Sequence, residues 1–146
     1  RDVLQSAFGS AGQRCSALRV LYLQNDVSER TETLLAGAMQ ELSVGNPEHL
    51  STDVGPVIDE RAQSALQQHL QALQNSARHI ASTPLPLACD AGYFIAPSAF
   101  AIGSMSELSV EHFGAILHVV RYAADKLDDV IDEINGSGFG LTLGIH

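Results

Sequence analysis

The chain has 146 residues, with 8 Lys and Arg against 17 Asp and Glu and a net charge of -9. That balance excludes the clustered cationic surface that a phosphate backbone requires, so no nucleic-acid partner is expected for this segment. Hydrophobic residues make up 45% and charged residues 17%, which suits a folded domain rather than a disordered tract, and no apolar run approaches the roughly 20 residues of a membrane-spanning helix. Two cysteines, Cys15 and Cys89, make no disulfide framework, and a reducing, cytoplasmic setting is the expectation.

The chain opens without Met, inside an amphipathic pattern that predicts a helix over residues 2–9. A Gly-rich turn follows, then the apolar run Leu18 to Leu23, which reads as a buried strand. Asp26 and Glu29 have capping-box spacing at the start of a helix whose expected inner face is Leu34, Leu35, Ala38, Met39 and Leu42, with Gly45-Asn46-Pro47 as its stop. Asp59 is expected to cap a second helix with Ala62, Ala65, Leu66, Leu70 and Leu73 inward. His69 shares that stripe and, as a lone histidine, reads as a packed residue rather than a ligand.

Residues 79–103 are punctuated by Pro and Gly and read as strands and loops. Ile116 to Val120 predicts a strand, and Asp125 is expected to cap a helix with Leu127, Val130, Ile131 and Ile134 inward. Residues 141–146 read as a closing strand that stops with no turn after it. Strands alternating with helices predict an α/β fold with a mainly parallel twisted sheet and flanking helices. Residues 1–146 are expected to be a piece of one catalytic domain, cut at both ends, whose open sheet edges favour self-association.

Chemistry concentrates at Phe8-Gly9-Ser10-Ala11-Gly12-Gln13-Arg14-Cys15-Ser16-Ala17. Glycines permit a tight turn, and a cationic neighbour together with backbone N–H groups favours the nucleophilic thiolate. Cys15 is therefore the candidate nucleophile, whereas Cys89 has no such setting. The six histidines show no metal-ligand spacing, and His112 and His118 have no evident partner. No metal is expected.

Several blocks in order resemble the aldehyde dehydrogenase family. Gly12-Gln13-Arg14-Cys15-Ser16-Ala17 resembles its nucleophile motif; Gly45-Asn46-Pro47 and Thr52-Asp53-Val54-Gly55-Pro56-Val57-Ile58 resemble two downstream signatures. Gly92-Tyr93-Phe94-Ile95-Ala96-Pro97, Glu111-His112-Phe113-Gly114 and the segment from Asn135 through Phe139-Gly140-Leu141 resemble three more. Within the family, Leu117-His118-Val119-Val120-Arg121-Tyr122 and the final Gly140-Leu141-Thr142-Leu143-Gly144-Ile145-His146 are similar to the pyrroline-5-carboxylate dehydrogenase branch.

The resemblance implies oxidation of glutamate semialdehyde to glutamate with NAD, through a thiohemiacetal and a thioester on Cys15. It implies substrate contacts from Ser16, Ser137, Gly138 and Phe139, and cofactor contacts from Glu111 to a ribose and from Phe113 beside it. FAD would enter only with a proline dehydrogenase domain elsewhere in the parent chain. The parent is expected to be a homo-oligomer that supplies the rest of the dehydrogenase. The family's Glu-Leu-Gly-Gly segment, which carries its general base, does not occur here, so the chain alone is expected to be inactive. Ala115 stands where the family's Pro follows Phe-Gly, and His112 where an apolar residue is common. The alternatives are a non-enzymatic α/β assembly or regulatory module with a structural or redox cysteine, and a cysteine hydrolase, which would need a His partner for Cys15.

Overall fold

The computed structural model describes residues 1–146. Its helices are α1 (Asp2–Phe8), α2 (Asn25–Gln40), α3 (Glu60–Ser76) and α4 (Leu127–Gly136). Its strands are β1 (Val20–Gln24), β2 (Arg78–Ser82), β3 (Ser98–Ile102) and β4 (Ile116–Tyr122), in the sheet order β1-β4-β3-β2. β4 is central and parallel to both β1 and β3, while β2 closes one edge antiparallel to β3. The expected mainly parallel α/β fold is what the chain adopts.

β4 is buried on both faces, which accounts for its unbroken apolar run. Leu117 and Val119 point to one layer with Phe8, Leu35 and Met39, beneath α1 and α2. Ile116 and Val120 point to the other with Phe100, Leu66 and Leu73, beneath α3. The strand period of two thus divides one apolar run between two cores. Asp59 caps α3 as expected, its carboxylate accepting from the Ala62 N–H at 2.7 Å.

Five local expectations are corrected. Ala65, expected on the inner face of α3, is exposed, because the helix docks through Leu66 and Leu73. Asp26 does not cap α2: β1 runs directly into the helix, the N-cap is Gln24, and Asp26 falls in the first turn, where its charge suits the helix dipole. The buried face of α2 is Ser28, Glu32, Leu35 and Met39, and Leu34 is exposed. Asp125 sits in a short 3-10 turn before α4, whose N-cap is Lys126; Val130 alone is buried there, with Leu127 and Ile131 exposed. Residues 141–146 form no strand. They find no strand partner in the chain, and a lone strand leaves its backbone groups unpaired.

The burial of Glu32 has a clear cause. Its carboxylate takes two hydrogen bonds from the Arg78 guanidinium, at 2.8 and 2.9 Å, and one from Arg121 Nε at 2.7 Å. Burial pushes the Glu32 pKa up, but hydrogen bonds and charge from Arg121 and Arg78 outweigh it, and the net shift is downward. This one acid ties α2 to β2 and β4, the two strands flanking β3.

A folded pKa below the unfolded value contributes stability above the ordinary carboxylate range and loses it as pH falls through the folded pKa. Glu32→Gln is therefore expected to cost about 1–3 kcal/mol at neutral pH, since it strands two cations with a neutral partner. Urea unfolding should show the gap between wild type and variant narrowing as pH drops below about 4. A gap that stays constant with pH would contradict this role.

Candidate active site

The loop between α1 and β1 is built around three consecutive residues in the left-handed region: Ser10 (φ 55°), Ala11 (φ 53°) and Gly12 (φ 67°). Such conformations cost non-glycine residues about 1–2 kcal/mol each. At Gly12 no side chain fits, because a Cβ there would lie 2.1 Å from the Gly114 carbonyl oxygen. At Gly114 a Cβ would lie 2.4 Å from a methyl of Leu66. Two backbone segments and α3 therefore meet at van der Waals contact, and only glycine permits it. Beyond them, the Ala17 N–H donates to the Arg14 carbonyl at 3.1 Å, closing a turn with Cys15 and Ser16 in its middle. Cys15 is exposed at the tip, and its backbone N–H donates to no group in the chain. Ser16 is exposed beside it.

Gln13 clips this loop to the next block. Its side-chain oxygen accepts from the Ile58 N–H at 2.8 Å, and its amide donates to Pro56 O at 3.4 Å. Val57 N–H donates to Tyr93 O at 2.7 Å, and the Gln63 amide to Phe94 O at 3.0 Å. Gly45 N–H donates to Val54 O, and Thr52 Oγ1 to Asn46 O. The separate sequence blocks are thus one hydrogen-bonded chain of loops behind Cys15.

Arg19 joins the Cys15 loop to Glu111 and Phe113. Its guanidinium donates to Gly12 O at 2.5 Å, Arg14 O at 3.0 Å and Gly114 O at 3.5 Å. Nε donates to Glu111 Oε1 at 3.3 Å, and the cation lies 4.9 Å from the centre of the Phe113 ring. Burial pulls the Arg19 pKa down, while the hydrogen bond and charge of Glu111 act against that shift. Five groups in two loops thus converge on one fork-shaped cation, a geometry lysine cannot reproduce. Glu111 keeps its second carboxylate oxygen free of partners, and Phe113 is 44% exposed.

Arg19 was not among the residues expected at the site. Its signal was a lone charge inside the run Leu18 to Leu23. The expectation that His112 and His118 lack partners is also corrected. His69 Nε2 lies 2.8 Å from His118 Nε2, and the rings of His69 and His112 stack at 3.5 Å between centroids. No hydrogen bond joins Cys15 to any of the three rings, whose partners are one another and the Arg19 carbonyl. No group of three or more His, Cys, Asp or Glu is arranged to hold a metal ion.

Ser137, Gly138 and Phe139 follow α4. Ser137 Oγ donates to Ile134 O at 2.7 Å and accepts from the Phe139 N–H at 3.1 Å, a local turn carrying Gly138 at φ 79°. Phe139 is exposed, and no hydrogen bond links this turn to the Cys15 loop. Cys89 is buried, its thiol pushed up by burial and by the Asp90 charge, and its Sγ lies 4.0 Å from Val44 O. Ala115 is buried in the core beneath α1 and α2.

Arg19→Lys keeps the charge but cannot hold Gly12, Arg14 and Glu111 together. Amide hydrogen exchange over residues 10–17 and 111–114 is expected to rise about tenfold in the variant, as for a lost charged hydrogen bond. Exchange within β3 and β4 should be unchanged. Equal acceleration throughout the sheet would show a global effect instead.

The chain is 49% identical to the bifunctional protein PutA of Klebsiella aerogenes over 99% of its length, spanning 11% of that relative. It is 28% identical to the 1-pyrroline-5-carboxylate dehydrogenase of Anoxybacillus flavithermus, over 97% of the chain and 27% of the relative. The crystal structure of a proline utilization A variant from Bradyrhizobium japonicum superimposes with a TM-score of 0.93 and 46% identity, over 99% of this chain and 14% of that one. The profile of the aldehyde dehydrogenase family matches residues 1–146, and the chain belongs to that family.

Proposed function

We propose that this chain is the nucleophile-bearing part of an NAD-dependent pyrroline-5-carboxylate dehydrogenase, within a longer proline-oxidising protein. The observation that carries the proposal is the Cys15 turn: an exposed thiol, with an uncommitted backbone N–H, tied through Arg19 to the Glu111–Phe113 segment. The 49% identity to a bifunctional PutA across nearly the whole chain supports the substrate class.

Cys15 Sγ, as thiolate, adds to the aldehyde carbon of glutamate semialdehyde. A C–S bond forms, and the carbonyl electron pair moves onto oxygen. The free Cys15 N–H donates to that developing oxyanion, where a fixed dipole does most for the rate. The Ser16 hydroxyl contacts the substrate carboxylate, together with the backbone of Ser137 and Gly138, and the Phe139 ring covers the aliphatic chain. When bound, NAD would supply the acceptor for the hydride that leaves the Cys15-linked carbon, and the oxygen's electron pair re-forms the carbonyl of a thioester on Cys15. Water then cleaves the thioester, releasing glutamate and the thiolate.

The residues present fit the ribose end of the cofactor. Glu111 has one oxygen fixed by Arg19 and the other free to accept from a diol. Phe113 offers an exposed ring beside it. The water-activating base and the phosphate contacts are assigned to residues outside this chain.

In the full-length protein, Cys15→Ala is expected to lower NADH formation from pyrroline-5-carboxylate by at least about 10³-fold. Survival of activity would reduce Cys15 to a structural thiol. The 146 residues alone should form no NADH in the same assay, and turnover by the isolated chain would contradict the division of the site.

A further inference from the structure

The three histidines form an ordered array whose proton positions follow from geometry. His118 Nδ1 lies 2.9 Å from the Arg19 carbonyl oxygen. A carbonyl only accepts, so Nδ1 of His118 carries the proton. Burial lowers the pKa of both His69 and His118 to about 4; nearby positive charge adds to the shift, while the hydrogen bond to the Arg19 carbonyl opposes it at His118 without reversing it. His118 is therefore neutral near pH 7 and its Nε2 is an acceptor, so His69 Nε2–H donates across the 2.8 Å contact. The chain runs from α3 through β4 to the backbone of Arg19, the residue that holds Glu111.

His112 completes it. Its ring lies on that of His69 with 10° between planes. Burial and the Arg19 charge lower its pKa as well, so two neutral rings face each other rather than two cations. Of three consecutive residues, Glu111 and Phe113 engage the Arg19 guanidinium, while His112 between them engages α3. The segment is gripped from two sides.

We propose that His112, stacked on His69, is a positioning residue that fixes the Glu111 carboxylate for the cofactor ribose. The inference rests on the reading of Glu111 as a cofactor contact. His112 touches no reacting atom. It acts by lowering the freedom of the segment that Glu111 occupies, so its removal weakens nucleotide binding and spares the chemistry at Cys15.

The test uses the full-length protein and NAD+ titrated by calorimetry. His112→Ala should weaken NAD+ about three- to tenfold, the range expected for one aromatic pair. The kcat at saturating NAD+ and the KM for the aldehyde should stay within about twofold, the signature of lost binding without lost transition-state stabilisation. His112→Phe, which keeps a stacking ring, should restore the affinity. His112→Leu fills the volume without a ring and should bind NAD+ like the Ala variant, so it decides the matter if His112→Ala does not fold. Hydrogen exchange over residues 111–114 should rise in the Ala and Leu variants and not in the Phe variant. Three results overturn the proposal. One is unchanged NAD+ affinity in His112→Ala and His112→Leu while Glu111→Ala weakens it, which leaves the cofactor reading intact. Another is equal weakening by Phe, Leu and Ala, or a joint loss of kcat and both affinities, which marks a structural residue. The third is unchanged NAD+ affinity in Glu111→Ala, which removes the cofactor reading and this inference with it.

Discussion

Arg19 is the interaction on which the site depends. Its side chain closes on two carbonyls of the Cys15 loop and one of the Glu111–Phe113 loop, while its own carbonyl accepts from both the backbone and the ring of His118. Without that cation, Gly12 O and the Glu111 carboxylate would lose the donor they share, and Arg14 O and Gly114 O would keep only the Ala17 and Ile116 N–H groups. A planar guanidinium satisfies several acceptors at once in a fixed fork, and partial burial strengthens each contact. The left-handed run over Ser10, Ala11 and Gly12 persists because Arg19 holds Gly12 and Arg14 on either side of Gln13.

The fold makes this convergence possible. β4 is flanked by β1 and β3 in parallel register, so Arg19, just before β1, and Gly114, just before β4, arrive at the same end of the sheet. The close approach of Gly12 to Gly114, with Leu66 of α3 beneath, brings the two loops together at backbone distance. At the same time, Glu32 with Arg78 and Arg121 locks α2 to the sheet, and Glu133 does the same for α4. Glu133 accepts from Tyr22 Oη at 2.8 Å, from Met105 N at 2.8 Å and from the Ser104 hydroxyl. A buried carboxylate on α2 and a half-buried one on α4, each accepting three hydrogen bonds, thus add to the apolar packing of Leu35, Met39 and Val130.

Much of this was legible in the sequence because it is local. The Asp59 cap, the apolar period of α3 and the unbroken run of β4 each depend on residues close in the chain, and the ordered blocks pointed to the family. What was not legible depends on partners far apart. The inner face of α2 includes Glu32 because of arginines 46 and 89 residues away, and no period of apolar residues reveals that. His69 and His118 looked solitary because their pairing spans 49 positions. The closing segment looked like a strand because its alternation is correct, yet alternation creates no partner strand. Leu127 and Ile131 look like core positions on α4 and lie exposed, since that helix docks through Val130 and Glu133.

The central claim is that Arg19 and the cofactor share Glu111, each taking one oxygen of the carboxylate. A crystal structure of the full-length protein with NAD+ bound tests it most directly. The account predicts Glu111 Oε1 still on Arg19, Oε2 on the ribose hydroxyls, and the Arg19 contacts to Gly12 and Arg14 unchanged. A ribose held by other residues, or an Arg19 that abandons the nucleophile loop when the nucleotide binds, would contradict it.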